Sequence, residues 1–480
     1  MPLCTSLLLA FLLLLHTLVL IRAMLVEDRD PYSRLAWAMA ITLLPLVGIG
    51  AYAMLGEPWM SARFRRQANR VYKRLEQNEI NADRRGKIAG PPERFILPFR
   101  TCESISQSCA TGKNSVTLAK DANTAIDMIV CDIAAARNTV HLSFYIWLDD
   151  HNGTKVAVAL KAAALRGVTC RVTADAIGSR VLIRSPLWSM MRDAGVRLCA
   201  SLKPPAGLGL LSARRLDLRN HRKIVIIDNF ITYCGSQNCA DPEFLIKKKY
   251  APWVDIMLRF EGPIAVQNQL IFASAWTVET GEDLTSFIAS TPSQDASGDV
   301  TAVAFGTGPL SVKGAMSSVF VSLLYSANRE VVVSTPYFVP DPPLLSALAA
   351  CARRGVPTSL ILPKHNDSHV IGAISRALYP QLLRAGVKIF EFRSGLLHAK
   401  TMVVDRTLSL VGSANMDRRS LELNFENNVL IFSPEVSEQI RERQDDYLGL
   451  SDEVDRASVD NRSRFHRLLQ NSMTMASAIF

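Results

Sequence analysis

One short pattern occurs twice in this chain, and it limits the possible folds more than any other feature. The first copy runs from His221 to Asp228, and the second runs from His398 to Asp405. In both copies the spacing of histidine, lysine and aspartate is the same, and a Gly-Ser-x-Asn sequence follows at the same distance. A single His-x-Lys would carry no weight, because short motifs often arise by chance. Two copies in the same register indicate an internal duplication.

Each copy predicts a buried strand followed by a turn. Four largely apolar, β-branched residues follow each lysine, and such runs are typical of buried strands. On a strand, His221 and Lys223 project from one face because they lie two positions apart, and the same holds for His398 and Lys400. The turns that follow carry further polar side chains, namely Ser236, Asn238, Ser413 and Asn415.

Together the two copies would surround one anion with the groups that a phosphate needs. The serines and asparagines would donate hydrogen bonds, the lysines would neutralise charge and the histidines would transfer protons. This set needs no metal ion and no cofactor, and the sequence has no zinc-type cysteine pattern. The nine scattered cysteines predict free thiols in a reducing compartment.

Two acidic residues are candidates for orienting the histidines. Asp255 and Glu426 stand before apolar runs at matching places after the two turns. A histidine needs an acceptor at its second ring nitrogen, which fixes its tautomer. We therefore predict that Asp255 orients His221, and that Glu426 orients His398. The alternative is that both carboxylates are solvated at the starts of strands.

The aspartates that end the two copies are predicted to be structural. Asp228 and Asp405 lie too far along their strands to share the position of the histidine and lysine side chains. We expect their carboxylates to pair with nearby cations.

The duplication extends beyond the motif. Strands and helices alternate before each copy, which predicts an α/β fold in which helices cover a sheet. Residues 165–168 and 353–356 share an Arg-Gly-Val sequence, and residues 193–196 and 384–387 share Ala-Gly-Val. We predict two related halves packed about a pseudo-twofold axis, with both motif copies at their interface. The predicted bounds of the halves are 111–285 and 286–480.

The first 58 residues predict a transmembrane hairpin. Pro2 to Ile21 and Leu35 to Gly56 carry no charged side chain, and each is close to the roughly 20 residues that span a bilayer. A cleaved signal peptide is the alternative for the first stretch. No basic residue precedes it, however, and the second stretch follows almost at once.

A basic segment and linker, residues 59–110, follow the hairpin. Its basic residues are Arg63, Arg65, Arg66, Arg70, Lys73 and Arg74. The positive-inside rule places this side, and the large C-terminal part, in the cytoplasm. The chain also has a formal net charge of +10, which indicates anionic partners such as a membrane surface or nucleic acid.

These residues resemble the phospholipase D superfamily, whose hallmark is the paired His-x-Lys-x4-Asp motif. The resemblance covers roughly residue 112 to the end of the chain. The two apolar spans, together with Ser143 to Ile146 and Ala251 to Asp255, narrow it to bacterial two-span cardiolipin synthases. That family implies two phospholipase D-like α/β halves and an integral protein of the bacterial inner membrane.

The resemblance also implies an activity and roles for the site residues. The family condenses two phosphatidylglycerol molecules to cardiolipin and glycerol through a phosphohistidine, without a metal or nucleotide. The residues do not distinguish the two histidines, and the resemblance favours His221 as the nucleophile. It also counts Asp228 and Asp405 among the active-site residues.

Other functions stay open on the residues alone. The enzyme could transfer the phosphatidyl group to water or to another alcohol, because an acceptor hydroxyl needs no distinctive motif. A nucleic-acid phosphodiesterase has the same two-histidine site, but two membrane spans argue against a nucleic-acid partner. Two complete motif copies argue against a non-catalytic membrane scaffold. The sequence indicates no oligomeric state.

Overall fold

The computed structural model describes residues 2–27, 29, 31–57, 60, 64–71, 73, 90–204, 217–284, 296–460, 468 and 472. Contacts divide the chain into two compact units. The described residues up to position 60 belong to the N-terminal unit, and those within 62–204 and 219–461 form the sheet unit. Arg63, Arg74 and the predicted boundary between the halves at residue 285 lie outside the described residues.

The N-terminal unit contains helices α1 (Pro2–Leu25), α2 (Pro31–Leu43) and α3 (Pro45–Leu55). Among the described residues, α1 alone is long and apolar enough to cross a membrane, over Thr5–Leu25. The second predicted span is two helices instead of one, because the backbone leaves the helical region at Leu44 with φ −128° and ψ 68°. Pro45 explains the break, since proline has no N–H and disfavours a helical conformation of the preceding residue.

The helices of the N-terminal unit pack on one another. The ring of Trp37 in α2 meets the ring of Tyr52 in α3 edge to face, with centroids 5.2 Å apart. Arg22, near the end of α1, forms an ion pair of 2.7 Å with Glu57, which follows α3. An apolar contact and an ion pair therefore hold the three helices together.

The sheet unit contains the remaining helices and all of the described strands. The helices are α4 (Ile96–Ser106), α5 (Ala122–Ala135), α6 (His151–Leu165), α7 (Arg180–Ile183), α8 (Pro186–Asp193), α9 (Ile264–Thr280), α10 (Ala315–Ser326), α11 (Pro342–Arg353), α12 (His369–Ala385), α13 (Pro434–Gly449) and α14 (Arg456–Asp460). The strands before residue 262 are β1 (Thr111–Leu118), β2 (Thr139–Phe144), β3 (Thr169–Asp175), β4 (Arg197–Ser201), β5 (Ile224–Ile227), β6 (Ile231–Gly235), β7 (Trp253–Val254) and β8 (Met257–Glu261). The later strands are β9 (Val300–Thr307), β10 (Val331–Ser334), β11 (Phe338–Val339), β12 (Thr358–Pro363), β13 (Lys388–Phe392), β14 (Leu396–Leu397), β15 (Thr401–Val404), β16 (Leu408–Gly412), β17 (Met416–Asp417), β18 (Glu426–Phe432) and β19 (Ser451–Glu453).

The main sheet has fifteen strands, and its two halves repeat one strand order outward from a central junction. The first half runs β1-β8-β6-β5-β2-β3-β4, and the second runs β9-β18-β16-β15-β10-β12-β13-β19. Strands β1 and β9 pair antiparallel at the junction. Corresponding strands therefore lie in corresponding places on the two sides. This arrangement confirms the predicted α/β fold of two related halves.

Both motif copies form the buried strands that their sequences predict. Strand β5 lies between β2 and β6, strand β15 lies between β10 and β16, and all eight of their residues are buried. The shared Arg-Gly-Val and Ala-Gly-Val sequences also occupy equivalent turns. Gly195 and Gly386 end equivalent helices with φ of 95° and 97°, a left-handed conformation that glycine adopts without strain.

Part of the predicted linker belongs instead to the core of the second half. Helix α4 buries Phe99 and Cys102 in a cluster with Val303, Phe305 and Phe320. The prediction of a linker up to residue 110 is therefore wrong from α4 onward. Helix α4 has an apolar stripe among its polar residues, and this stripe covers strand β9 of the second half.

Candidate active site

The two motif strands begin where the two halves of the sheet unit meet. The backbone N–H of His221 donates to the carbonyl oxygen of Phe425 over 2.9 Å, and Phe425 donates back to Arg219 over 2.9 Å. In the other half, the N–H of His398 donates to the carbonyl oxygen of Val254 over 2.8 Å. Each histidine is therefore held by the segment that precedes the acidic residue of the opposite half.

Each histidine also takes its carboxylate from the opposite half. Nδ1 of His221 lies 2.8 Å from Oε2 of Glu426. Nδ1 of His398 lies 2.6 Å from Oδ1 of Asp255. The predicted assignment is wrong, because the two acidic residues are exchanged. The backbone pairing between the halves is the reason, since it places each carboxylate beside the histidine of the other half.

The two imidazole rings are buried and neutral. His221 is 7 % exposed and His398 is 3 % exposed. Burial lowers the pKa of both histidines to about 4, so neither ring is protonated at neutral pH. A neutral ring donates Nδ1–H to its carboxylate and keeps a lone pair on Nε2. Among the described residues, neither Nε2 has a hydrogen-bond partner, which leaves both atoms for a substrate.

Aromatic side chains fix the planes of the two rings. Tyr145 meets His221 edge to face, with centroids 5.0 Å apart. Trp253 lies against His398 with centroids 4.6 Å apart. Neither aromatic residue was assigned a role from the sequence. Both nevertheless lie in the two short sequences on which the resemblance rests, and that was the available signal.

The two lysines are buried beside their own histidines. Nζ of Lys223 donates to the carbonyl oxygen of His221 over 2.6 Å, and Nζ of Lys400 donates to that of His398 over 2.5 Å. Burial lowers the pKa of Lys223 to about 8 and lowers the pKa of Lys400 well below its ordinary value. Besides burial and its own lysine, the lysine of the opposite half lowers the pKa of each histidine. The two motif copies are therefore close enough for the charged groups of one to change the pKa values of the other.

The serines of the two turns support the carboxylates, which corrects their predicted role as phosphate donors. Ser236 donates its hydroxyl to Oδ1 of Asp255 over 2.5 Å. Ser413 donates its hydroxyl to Oε2 of Glu426. A hydroxyl has a single proton, so neither serine can donate to a phosphate in this arrangement.

The asparagines are the better candidates for holding phosphate oxygens. Oδ1 of Asn238 accepts from the backbone N–H of Ile146 over 3.1 Å, and its Nδ2 has no partner among the described residues. Nδ2 of Asn415 donates to Ser420 over 3.2 Å. Asn238 therefore presents both of its amide protons, whereas Asn415 keeps one of its two for a phosphate oxygen.

The aspartates that end the motif copies anchor backbone. Asp228 accepts from the N–H groups of residues 137–139 at 2.7–2.8 Å, and Asp405 accepts from those of residues 328–330 at 2.6–3.2 Å. Asp405 also pairs with Arg94. Their predicted structural role therefore fits, although their main partners are backbone N–H groups and not cations. The family role implied by the resemblance does not extend to contact with a phosphate here, because about five residues of strand, roughly 16 Å, separate each aspartate from its lysine.

Comparison with known proteins decides the family. The family described as "Cardiolipin synthase, PLD-like domain" matches residues 129–251 and 320–447. The chain is 36 % identical to cardiolipin synthase A of Citrobacter koseri over 452 residues, which cover 93 % of this chain and 92 % of that protein. It is 35 % identical to cardiolipin synthase A of Yersinia pseudotuberculosis over 458 residues, with the same coverage. The chain belongs to the cardiolipin synthase family.

Further matches agree with this family and with the fold. The N-terminal family described as "Phospholipase_D-nuclease N-terminal" matches residues 8–57. The crystal structure of phosphatidylserine synthase from Haemophilus influenzae superposes with a TM-score of 0.56 over 85 % of this chain and 98 % of that chain, at 12 % sequence identity. That likeness concerns the fold alone. Membership of the cardiolipin synthase family makes the chain a membrane-associated phosphatidyltransferase that acts on phospholipid.

Two further residues lie close to the site, and neither was among the predicted site residues. Oδ1 of Asn427 accepts from the backbone N–H of Lys223 over 2.9 Å and so ties β18 to the other half. Asp417 accepts from the N–H of Ser420 over 2.8 Å, and burial raises its pKa to about 6. Among the described residues, no group of three or more histidine, cysteine or acidic side chains is arranged to hold a metal ion.

Proposed function

We propose that this enzyme transfers the phosphatidyl group of one phosphatidylglycerol to the free hydroxyl of a second, which gives cardiolipin and glycerol. The observation that supports this proposal is the pair of neutral histidines, each with a carboxylate at Nδ1 and a free Nε2. Two such groups can alternate as nucleophile and acid–base in a double displacement.

In the first step, Nε2 of His221 attacks the phosphorus of phosphatidylglycerol. A nitrogen–phosphorus bond forms, and the bond from phosphorus to the glycerol oxygen breaks. His398 gives the proton on its Nε2 to that oxygen, and glycerol leaves. Lys223 and Lys400 offset the charge on the phosphoryl oxygens, and Nδ2 of Asn238 donates a hydrogen bond to one of them.

The bound diester prepares the acid of this first step. In the free site the pKa of His398 is about 4, chiefly because the ring is buried and also because two lysines are near. An anionic phosphodiester between the lysines offsets their charge and raises the pKa of the ring. His398 therefore takes up a proton from solvent when the substrate binds.

In the second step the roles reverse. Nε2 of His398, now unprotonated, takes the proton of a hydroxyl on a second phosphatidylglycerol. The oxygen attacks phosphorus, the nitrogen–phosphorus bond breaks, and His221 returns to its neutral form.

We further propose an integral, multi-pass arrangement in the bacterial inner membrane. Helix α1 supplies one span, and α2 with α3 supplies a second that bends at Pro45. Arg65, Arg66 and Arg70 follow the hairpin on helical residues, and by the positive-inside rule they support a cytoplasmic sheet unit. The proposed bounds of the sections stay as given from the sequence, except that α4 joins the second half.

Mass spectrometry of the products tests this function. Membranes that contain the enzyme are incubated with labelled phosphatidylglycerol, and we expect labelled cardiolipin and glycerol. His221→Ala and His398→Ala should each abolish cardiolipin formation, because a nucleophile and an acid that act as a unit fail together. His151→Ala, at an exposed histidine, is the matched control. Phosphatidic acid as the sole product would contradict the transfer, and plasmid cleavage without lipid turnover would contradict the substrate class.

A further inference from the structure

The connection between the asparagine and the orienting carboxylate differs in length between the two halves. Asp255 follows Asn238 by 17 positions, whereas Glu426 follows Asn415 by 11 positions. The first half therefore has six additional residues at a place where the two halves otherwise correspond. A short helical segment of six residues, Leu245–Tyr250, occupies this connection. We call it the 245–250 segment.

The 245–250 segment contributes only Tyr250 to the apolar packing of the sheet unit, where it lies half-buried against Phe244 and Trp253. None of its residues is buried. Leu245 and Ile246 are 65 % and 55 % exposed, and three lysines, residues 247–249, follow directly. In the second half the shorter connection instead buries its apolar residues, Leu421 and Leu423. A surface that presents two large aliphatic side chains beside consecutive lysines is typical of contact with an anionic lipid surface.

The 245–250 segment lies at the edge of the active site. Phe244, which precedes it, stacks on Trp253 with ring centroids 3.8 Å apart, and Trp253 in turn contacts His398. Lys247 forms an ion pair of 2.5 Å with Asp367 in the loop that follows β12. The segment is therefore fixed to both halves of the sheet unit next to one catalytic ring.

Other exposed apolar side chains lie at the same edge of the sheet. Ile177 and Val181 follow β3 and are 46 % and 51 % exposed, and Val370 follows β12 and is 53 % exposed. Strands β3 and β12 run parallel to β2 and β10, so the loops after them leave the sheet at the edge where the motif histidines lie. Both halves therefore place aliphatic residues around the site.

We propose that the 245–250 segment, together with Ile177, Val181 and Val370, inserts into the surface of an anionic phospholipid bilayer and holds the mouth of the active site among the headgroups. Leu245 and Ile246 enter the boundary between headgroups and acyl chains. Lys248 and Lys249, which form no ion pair among the described residues, contact lipid phosphates. This inference rests on the proposed function, because it supplies the route by which a bilayer substrate reaches a site built in the sheet unit.

Two contributions favour contact of the 245–250 segment with the bilayer surface over its exposure to water. Burying an exposed leucine or isoleucine in an apolar phase raises the affinity about tenfold or more. Each lysine close to an anionic surface adds about fivefold at low salt, and this contribution falls with ionic strength. The N-terminal helices already tether the chain to the membrane, so a weak surface contact acts at high effective concentration.

Fluorescence quenching tests insertion without depending on catalysis. The full-length chain, with Cys109→Ser and Cys131→Ser to remove exposed thiols, carries Ile246→Cys labelled with an environment-sensitive dye. Leu165→Cys is the matched control, because Leu165 is 69 % exposed and lies just before β3, at the opposite edge of the sheet. In vesicles of phosphatidylglycerol and phosphatidylcholine, spin-labelled lipid should quench the dye at position 246 and not at position 165. Equal quenching at the two positions, or none at 246, would overturn the proposal.

Activity measurements then separate docking from chemistry. Leu245→Ser/Ile246→Ser should lower turnover of phosphatidylglycerol in vesicles about tenfold or more, and should change turnover of a short-chain, monomeric phosphatidylglycerol less than about twofold. Leu165→Ser should change neither. Equal losses on both substrates would contradict docking, because they would show damage to the site itself. If the unmodified enzyme makes no cardiolipin but position 246 is quenched, the proposed function fails and the docking surface stands.

Discussion

Among single residues, the exchanged carboxylates give the two histidines separately adjustable pKa values. Glu426 raises the pKa of His221, and Asp255 raises the pKa of His398, each partly offsetting the effect of burial. Removing either carboxylate should therefore lower the pKa of one identified histidine. A nucleophile must be unprotonated and an acid must be protonated, so the two variants affect opposite limbs of a pH–rate profile.

We therefore predict different pH effects for Glu426→Gln and Asp255→Asn. The measurement is glycerol release in a single turnover at saturating phosphatidylglycerol. Glu426→Gln should move the acid limb to lower pH, because His221 then loses its proton at lower pH. Asp255→Asn should move the alkaline limb to lower pH, because His398 then fails to stay protonated. Both rates should also fall by about 10⁴-fold, as when the orienting carboxylate of a catalytic histidine is lost. The reverse pattern would contradict either the exchange or the choice of His221 as nucleophile.

Lys223 combines a functional advantage with a cost in stability. Its ammonium is fully buried, and burial lowers its pKa from 10.5 to about 8. Below pH 8 Lys223 is protonated in both the folded and the unfolded state. Because the charge is buried only in the folded state, it lowers the free energy of unfolding by up to about 3 kcal/mol. Catalysis needs that charge to stabilise the phosphoryl oxygens.

Lys223→Met should therefore reduce activity and raise stability. We expect cardiolipin formation to fall by about 10²–10³-fold. In thermal unfolding of the detergent-solubilised enzyme, the variant should melt at the same or a higher temperature at pH 7. Wild-type stability should rise between pH 8 and 10.5, where the unfolded chain binds more protons, and the variant should lose this slope. Lys388→Met, at the exposed start of β13, is the control, and a large drop in melting temperature for Lys223→Met would contradict the argument.

At the scale of elements, the aspartates at the ends of the motif strands fasten one strand to the start of its neighbour. Asp405 is 3 % exposed and accepts from three consecutive backbone N–H groups before β10. Asp405→Ala should lower the free energy of unfolding by about 2–4 kcal/mol, because buried N–H groups lose their acceptor. Activity per folded molecule should change less than about twofold. Loss of turnover with unchanged unfolding in urea would instead support a direct catalytic role.

Helix α4 offers a second element-scale prediction with an internal control. Phe99 is 1 % exposed in the core of the second half, whereas Leu97, two residues earlier, is 67 % exposed. Phe99→Ala should lower the free energy of unfolding by about 3–5 kcal/mol, whereas Leu97→Ala should change it by less than about 0.5 kcal/mol. Urea denaturation of the two variants checks this difference. Equal effects would mean that the helix does not belong to the core.

Over the whole molecule, the sequence predicted whatever depends on spacing along the chain. The motif that starts at His221 recurs 177 residues later at His398, and this repeat alone predicted two related halves, buried motif strands and a shared site. The exchange of Asp255 and Glu426 could not be predicted, because spacing does not show which half supplies the neighbouring segment. The serines were assigned to the phosphate for a related reason, since their hydroxyls have closer acceptors that only the fold reveals.

Two other predictions failed because the average composition of a segment concealed a local feature. Pro45 interrupts a stretch that is apolar throughout, so composition alone predicted one long helix. Helix α4 mixes polar and apolar residues and follows a polar stretch, so it was taken for a linker even though one face covers the second half. In both cases the local chemistry of a few residues outweighs the average character of the segment.

The exchanged carboxylates also bear on how such a chain arose. Neither half by itself contains a histidine together with the acid that orients it. A single half would therefore need a second copy of itself to complete a site. In one polypeptide the two halves are always present together, and they no longer need to be identical. The two halves of the present chain differ in this acid, since the second supplies the longer Glu426 and the first supplies the shorter Asp255.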